Sequence, residues 1–251
     1  MISKNKIKLL RSLQLKKNRL TSKLTIIEGL RIIDEAINLN AEITQIFYVS
    51  KFFEKNKSLL TKIDLNGIPH DTIELKDLKE IADTNNPQGI IAVVNIKKYL
   101  DSKLTNTNEN YVILDQISDP GNLGTILRTC AWYGINQIVL MPESVDPFNL
   151  KCLRSAMGAH FSFKYINYSD YDKIISFLEK NNYNILCSNL NGSDVSKISI
   201  KGKWALVLGS EAHGTNFLFE KFTNITISKK GSIDSLNVSV ATGILLDRLI
   251  N

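Results

Sequence analysis

Three clusters in the C-terminal half of the sequence hold the residue types that catalysis uses. In DQISDPGNLGTILRT, Pro120 and Gly121 shape a turn, Asn122 opens a helical pattern, and Arg128 follows near its second turn. In LVLGSEAHG, Gly209 allows close backbone approach and Glu211 stands just past an apolar run. In KKGSIDSLNVSVATG, Ser235 is placed to cap a helix begun by Leu236, Asn237, Val238 and Ser239. Carboxamides, a guanidinium, a carboxylate and a hydroxyl at loop ends are groups that orient substrates and help move protons. Taken singly, each cluster also has a plainer reading: DPGN is an ordinary turn with a helix cap, and Ser235 can do no more than cap. The patterns of several other chemistries are missing. No G-x-G-x-x-G follows a first strand, no G-x-x-x-x-G-K-[ST] or H-E-x-x-H occurs, and the nucleophile elbow G-x-S-x-G is absent.

Loops of this kind act only where a scaffold holds them together. From Tyr111 onward, short continuous apolar runs alternate with helical patterns. Strands are predicted at Tyr111–Leu114, Ile135–Met141, Phe161–Ile166, Tyr183–Ser188, Trp204–Leu208 and Ile225–Ser228. Helices are predicted at Asn122–Tyr133, Asn149–Ala159, Tyr171–Lys180 and Leu236–Leu249. Continuous rather than alternating apolar strands between helices indicate a mainly parallel sheet covered on both faces. In such a sheet, ligands bind beyond the carboxyl ends of the strands, where the three clusters fall. The first hundred residues read as another α/β unit, with helices over Lys4–Leu15, Glu28–Leu39 and Lys76–Ala82 and strands over Ile43–Val49 and Gly89–Ile96. The stretch Lys97–Asn110 turns polar and loses periodicity, so the expected division is residues 1–98, a linker at 99–110, and a second domain over 111–251.

Taken together and in this order, the clusters resemble the three motifs of the SpoU/TrmH family of RNA ribose methyltransferases, in the SPOUT superfamily. Asp119-Pro-Gly-Asn-Leu-Gly-Thr-Ile-Leu-Arg128 is similar to the first motif, Leu208-Gly-Ser-Glu-Ala-His-Gly214 to the second, and Ser235-Leu-Asn-Val-Ser-Val-Ala241 to the third. The N-terminal half, with KNRLTSKLTIIEG and NNPQGIIAVV, resembles the family's RNA substrate-binding domain. The resemblance implies a C-terminal SPOUT-type parallel-sheet domain with a trefoil knot, behind a small α/β RNA-binding domain. It implies that Asn122, Arg128, Glu211, Ser235 and Asn237 form the catalytic centre and that S-adenosyl-L-methionine (AdoMet) is held around Gly209, Ile227 and Leu236. Two departures bear on that pocket: Ser210 stands where the family often has Asn, and Ile227-Ser228-Lys229 where it often has Ile-Pro-Met.

Methyl transfer is an in-line displacement, so the enzyme must align oxygen, methyl and sulfur and assist loss of a proton. A ribose hydroxyl is a poor nucleophile and needs a base or strong polarisation. Arg128 is the participant the resemblance implies, although a guanidinium normally keeps its proton. Either a dimer pocket makes it a base, or it orients the substrate phosphate and another group takes the proton. The expected activity is 2′-O-methylation of RNA, ribosomal rather than transfer RNA, by a cytoplasmic homodimer. The alternative from another class is a catalytically silent RNA-binding assembly factor on the same fold.

Charge agrees with an RNA partner without deciding it. The net charge is +6, and no acid precedes Glu28 in a segment holding Lys16, Lys17 and Arg19 among eight cations. Those three residues and Arg128 are the expected RNA contacts. Three scattered cysteines and three scattered histidines indicate neither a disulfide framework nor a metal site. No apolar run approaches the roughly 18 residues of a membrane helix, and the N-terminus lacks the pattern of a signal peptide.

Overall fold

The computed structural model describes residues 2–210 and 214–251. The chain divides into two compact units, the first running from the N-terminus to Asp101 and including Phe148–Phe161, the second formed by the remainder.

The first unit contains α1 (Lys4–Ser12), α2 (Lys16–Ser22), β1 (Leu24–Glu28), α3 (Leu30–Asn38), β2 (Ile43–Tyr48), α4 (Ser50–Lys55), α5 (Lys57–Leu65), β3 (His70–Thr72), α6 (Leu75–Ile81), β4 (Ile90–Asn95) and α7 (Lys97–Leu100). Its sheet has the order β1-β4-β2-β3 among the described residues, with β4 antiparallel to both neighbours and β2 parallel to β3. Leu10, Leu13, Ile26, Phe47, Leu78 and Ile91 lie in one of its core clusters. The helix expected from Glu28 begins instead at Leu30, because Gly29 takes φ +105°, a conformation that a helix cannot include. Leu24–Glu28 is strand, fixed by its pairing with β4 rather than by local pattern. The helix expected to reach Leu15 stops at Ser12.

In the second unit, β5 (Tyr111–Leu114), α8 (Pro120–Trp132) and β6 (Gln137–Leu140) come first. The next helix, α9 (Leu150–Ser155), clusters with the first unit, where the Arg154 guanidinium pairs with Asp83 at 2.7 Å and Thr25 donates to the Phe148 carbonyl. The chain returns with β7 (Tyr165–Tyr168), α10 (Tyr171–Lys180), β8 (Asn184–Asp194), β9 (Trp204–Leu208), β10 (Thr223–Thr226) and α11 (Val238–Ile250). The strand expected from Phe161 starts at Tyr165, behind a 3₁₀ turn at Ala159–Ser162. These strands form a wholly parallel sheet in the order β10-β8-β9-β5-β6-β7 among the described residues. Every residue of β5, β6 and β9 is buried, as central strands covered on both faces require.

The expected linker is pinned at both ends. Tyr99 is buried beside Phe148, with ring centroids 5.5 Å apart. Farther along, Thr105 and Thr107 carbonyls accept from the Tyr111 and Tyr183 hydroxyls, both at 2.9 Å.

Candidate active site

The loops beyond the carboxyl ends of β8, β9 and β10 enclose a cleft of about 610 Å³, within the usual range for small-molecule sites. Gly209, Ile227, Ser235 and Leu236 all line it. Gly209 directly follows β9, and a Cβ there would lie 2.1 Å from the carbonyl carbon and oxygen of Gly214 and 2.3 Å from the Thr215 nitrogen. Glycine is therefore required by contact rather than by backbone angle, and the Gly214 N–H donates to Ser210 O at 2.9 Å. Leu236, 46% exposed, leaves an apolar side chain available on the wall of the cleft.

The first and third sequence clusters meet through their carboxamides. Asn237 Nδ2 donates to Asn122 Oδ1 at 3.1 Å. Each asparagine is set by a helix start, though not as the sequence suggests. Asp119, not Asn122, caps α8, accepting the Asn122 N–H at 2.8 Å with Pro120 in the first turn. Asn237, not Ser235, caps α11, accepting the Ser239 N–H at 3.0 Å. Ser235 is left exposed on the loop before the helix. α11 packs along α8, which keeps the two caps side by side.

Arg128 is exposed on α8. It lies six residues beyond Asn122, about 240° around the helix, and is not in the lining of the cleft. Glu211 lies outside the described residues. Lys16 and Lys17 are exposed at the start of α2. Arg19 requires correction: it is 1% exposed, and its Nη1 donates to the Leu13 and Gln14 carbonyls, both at 2.8 Å. It satisfies carbonyls left open at the end of α1 and is unavailable to a phosphate. No cluster of three metal-binding side chains occurs among the described residues, and no helix there is long and apolar enough to cross a membrane.

One buried carboxylate escaped the sequence reading. Asp115 follows β5 directly and is fully buried, with Oδ1 accepting the Tyr171 hydroxyl at 2.8 Å and Oδ2 the Asn216 N–H at 2.6 Å. Burial pushes its carboxyl above the ordinary value, against the opposing pull of the Asn216 N–H and the Tyr171 hydroxyl. It anchors the chain just after Thr215. The only local signal was a charged residue straight after an apolar strand.

Known proteins share both the sequence and the architecture. The profile of the SpoU rRNA methylase family matches residues 109–247, and that of an MRM3-like substrate-binding domain matches residues 4–92. The chain is 29% identical to the 23S rRNA (guanosine(2553)-2′-O)-methyltransferase RlmP of Bacillus subtilis over 97% of its own length and 95% of that protein. A crystal structure of AdoMet-bound rRNA methyltransferase from Sinorhizobium meliloti superposes with a TM-score of 0.85 at 27% identity, covering 99% of this chain and 95% of that one. A TrmH-family protein from Porphyromonas gingivalis superposes at 0.83 with 26% identity, covering 99% and 98% of the two chains. With the family profile spanning more than half its length, the chain belongs to the SpoU rRNA methylase family.

Proposed function

We propose that this chain transfers a methyl group from AdoMet to a ribose 2′-hydroxyl of ribosomal RNA. The observation that carries the reading is the convergence of Gly209, Ile227, Ser235 and Leu236 on one cleft, in a family of RNA methylases. The residues present fit the cofactor. Gly209 brings bare backbone to the cleft, while Ile227 and Leu236 supply apolar wall. AdoMet supplies a methyl group activated by its sulfonium charge. The protein's own part is alignment and handling of the hydroxyl proton. Asn122 and Asn237, held by their mutual hydrogen bond, present fixed amide groups for orientation. Arg128 offers a planar, charged fork suited to a phosphate beside the reacting ribose. Glu211 and Ser235 complete the proposed catalytic set.

Within this reading, residues 1–98 form the RNA substrate-binding domain, with Lys16 and Lys17 as phosphate contacts, 99–110 the connection, and 111–251 the methyltransferase domain. The B. subtilis relative named as a 23S rRNA enzyme favours ribosomal over transfer RNA as substrate. A homodimer is the proposed working form. Arg128 and Trp132 sit one turn apart on α8, Trp132 is 85% exposed, and Val240 and Ile244 form a second exposed pair on α11. A second copy would cover this apolar surface and bring its own groups to Arg128. Light scattering giving a single 28.3 kDa species at micromolar concentration would count against it. Three buried cysteines, none joined in a disulfide among the described residues, support a reducing, cytoplasmic location. The trefoil knot of the resemblance would involve the chain after Ser228, and mechanical extension from both ends to full contour length would remove it.

Two measurements test the function. Calorimetric titration with AdoMet separates an enzyme from a silent RNA-binding factor, which has no need of the pocket. Mapping of ribose methylation in ribosomal and transfer RNA, from cells with and without the gene, identifies the substrate. Loss of a single 2′-O-methyl from ribosomal RNA is expected; loss from transfer RNA alone would overturn the substrate.

A further inference from the structure

β8 does not run straight beside β10. The register pairs Asn224 with Cys187, then jumps so that Ile225 faces Ser193 and Thr226 faces Asp194. The residues passed over form a bulge, and four of them, Ser188, Asn189, Leu190 and Asn191, line the cleft. The bulge is closed tightly: a Cβ at Gly192 would lie 2.6 Å from backbone atoms of Asn224 and Ile225. Beyond it, Asp194 divides its carboxylate. Oδ1 accepts the Ser196 N–H at 2.9 Å and the Ser196 hydroxyl at 2.7 Å, capping the 3₁₀ turn Val195–Lys197. That turn packs against α11. Oδ2 accepts the Ser228 hydroxyl, one residue past Ile227 on the cleft wall.

We infer that Ser228 and Asp194 form a latch that positions the Ile227–Lys229 segment for AdoMet in this chain. The inference rests on the cofactor reading of the cleft. Ser228 belongs to Ile227-Ser228-Lys229, where the resembling family often has Ile-Pro-Met. A proline there would restrict the backbone covalently. Serine has no such restriction, and here a charge-assisted hydrogen bond to an anchored carboxylate supplies the constraint instead. The hydroxyls of Ser228 and Ser196 hold the Asp194 carboxyl down to about 2, so the acceptor is ionised throughout the working range of pH. Neither residue touches the reacting atoms; both are positioning residues.

The test is a double-mutant cycle on AdoMet affinity, read by calorimetry on the full-length protein, with thermal unfolding recorded for each variant. Ser228→Ala is expected to weaken AdoMet binding about fivefold, the factor one exposed charge-assisted hydrogen bond provides. Ser228→Thr keeps the hydroxyl and is expected to stay within about twofold of wild type. Asp194→Ala alone also opens the Ser196 turn and is expected to cost more than Ser228→Ala, but the double variant is expected to bind AdoMet no more weakly than Asp194→Ala alone, because the shared contact is lost only once. Unchanged affinity in Ser228→Ala, or losses that simply add in the double variant, would overturn the latch while leaving the cofactor reading intact. Absence of AdoMet binding by the wild type would overturn the cofactor reading, and the latch with it.

Discussion

Gly209→Ala tests whether the cleft depends on backbone packing at the end of β9. An added Cβ would lie 2.1 Å from the Gly214 carbonyl, where ordinary contact begins at 3.4 Å. The Gly214–Thr215 backbone must therefore retreat by about 1.3 Å, and because the obstacle is backbone, no rotamer change relieves it. Such a retreat takes the 2.9 Å Gly214–Ser210 hydrogen bond beyond useful range. Losing that bond costs about 1 kcal/mol, and forced overpacking about 1–3 kcal/mol more. The sum is roughly 2–4 kcal/mol, and Asp115 holds the chain at Asn216, two residues past the Gly214 contact. If the strain is expressed in binding, AdoMet affinity falls about 30- to 900-fold. If it is expressed in folding, the thermal midpoint falls by several degrees. Calorimetry and thermal unfolding on the same preparation register both. An alanine variant that binds AdoMet within about threefold of wild type and melts at the same temperature would refute the reasoning.

Arg128→Ala is expected to abolish single-turnover methylation at saturating AdoMet and RNA while folding and AdoMet binding persist. Arg128→Lys, lacking the planar fork, is expected to rescue little, and a rate within a few-fold of wild type for Arg128→Ala would remove the residue from the reaction. Leu236→Arg gives the opposite signature, weaker AdoMet binding first and slower turnover as a consequence. Replacing Lys16 and Lys17 with Gln is expected to make the logarithmic salt slope of RNA affinity shallower by about 1.4 units, at roughly 0.7 per phosphate contact. Arg19→Gln is expected to lower thermal stability instead, because it opens buried carbonyls. Asp115 adds a pH dependence. Its folded-state carboxyl is raised above 3.8, so the native state retains a proton that the unfolded state has lost, and this group's contribution to stability declines as pH rises above 3.8. The difference in midpoint between Asp115→Asn and wild type is expected to shift in favour of the variant over that interval; a pH-independent difference would show that the burial does not act through charge.

Periodicity alone was enough for the second unit's parallel α/β plan. Tyr111–Leu114, Tyr171–Lys180 and Trp204–Leu208 occupy the spans expected, because central strands buried on both faces must be apolar throughout and a helix with one buried face repeats every 3.6 residues. The order of three motifs was likewise enough to indicate the family, since motif spacing is a property of the chain itself. What the sequence could not disclose depends on residues distant along the chain. β1 exists because β4 pairs with it, and Arg19 looks like a phosphate contact until α1 ends beside it and presents two carbonyls. The caps of α8 and α11 fall on Asp119 and Asn237 because tertiary packing chooses which of several capable side chains closes each helix. Asp115 and Asp194 read as ordinary acids; only folding surrounds one with Tyr171 and Asn216 and sets the other against Ser228, more than thirty residues away. Local pattern records which groups can make a hydrogen bond, and the folded chain alone decides which partners are brought within reach.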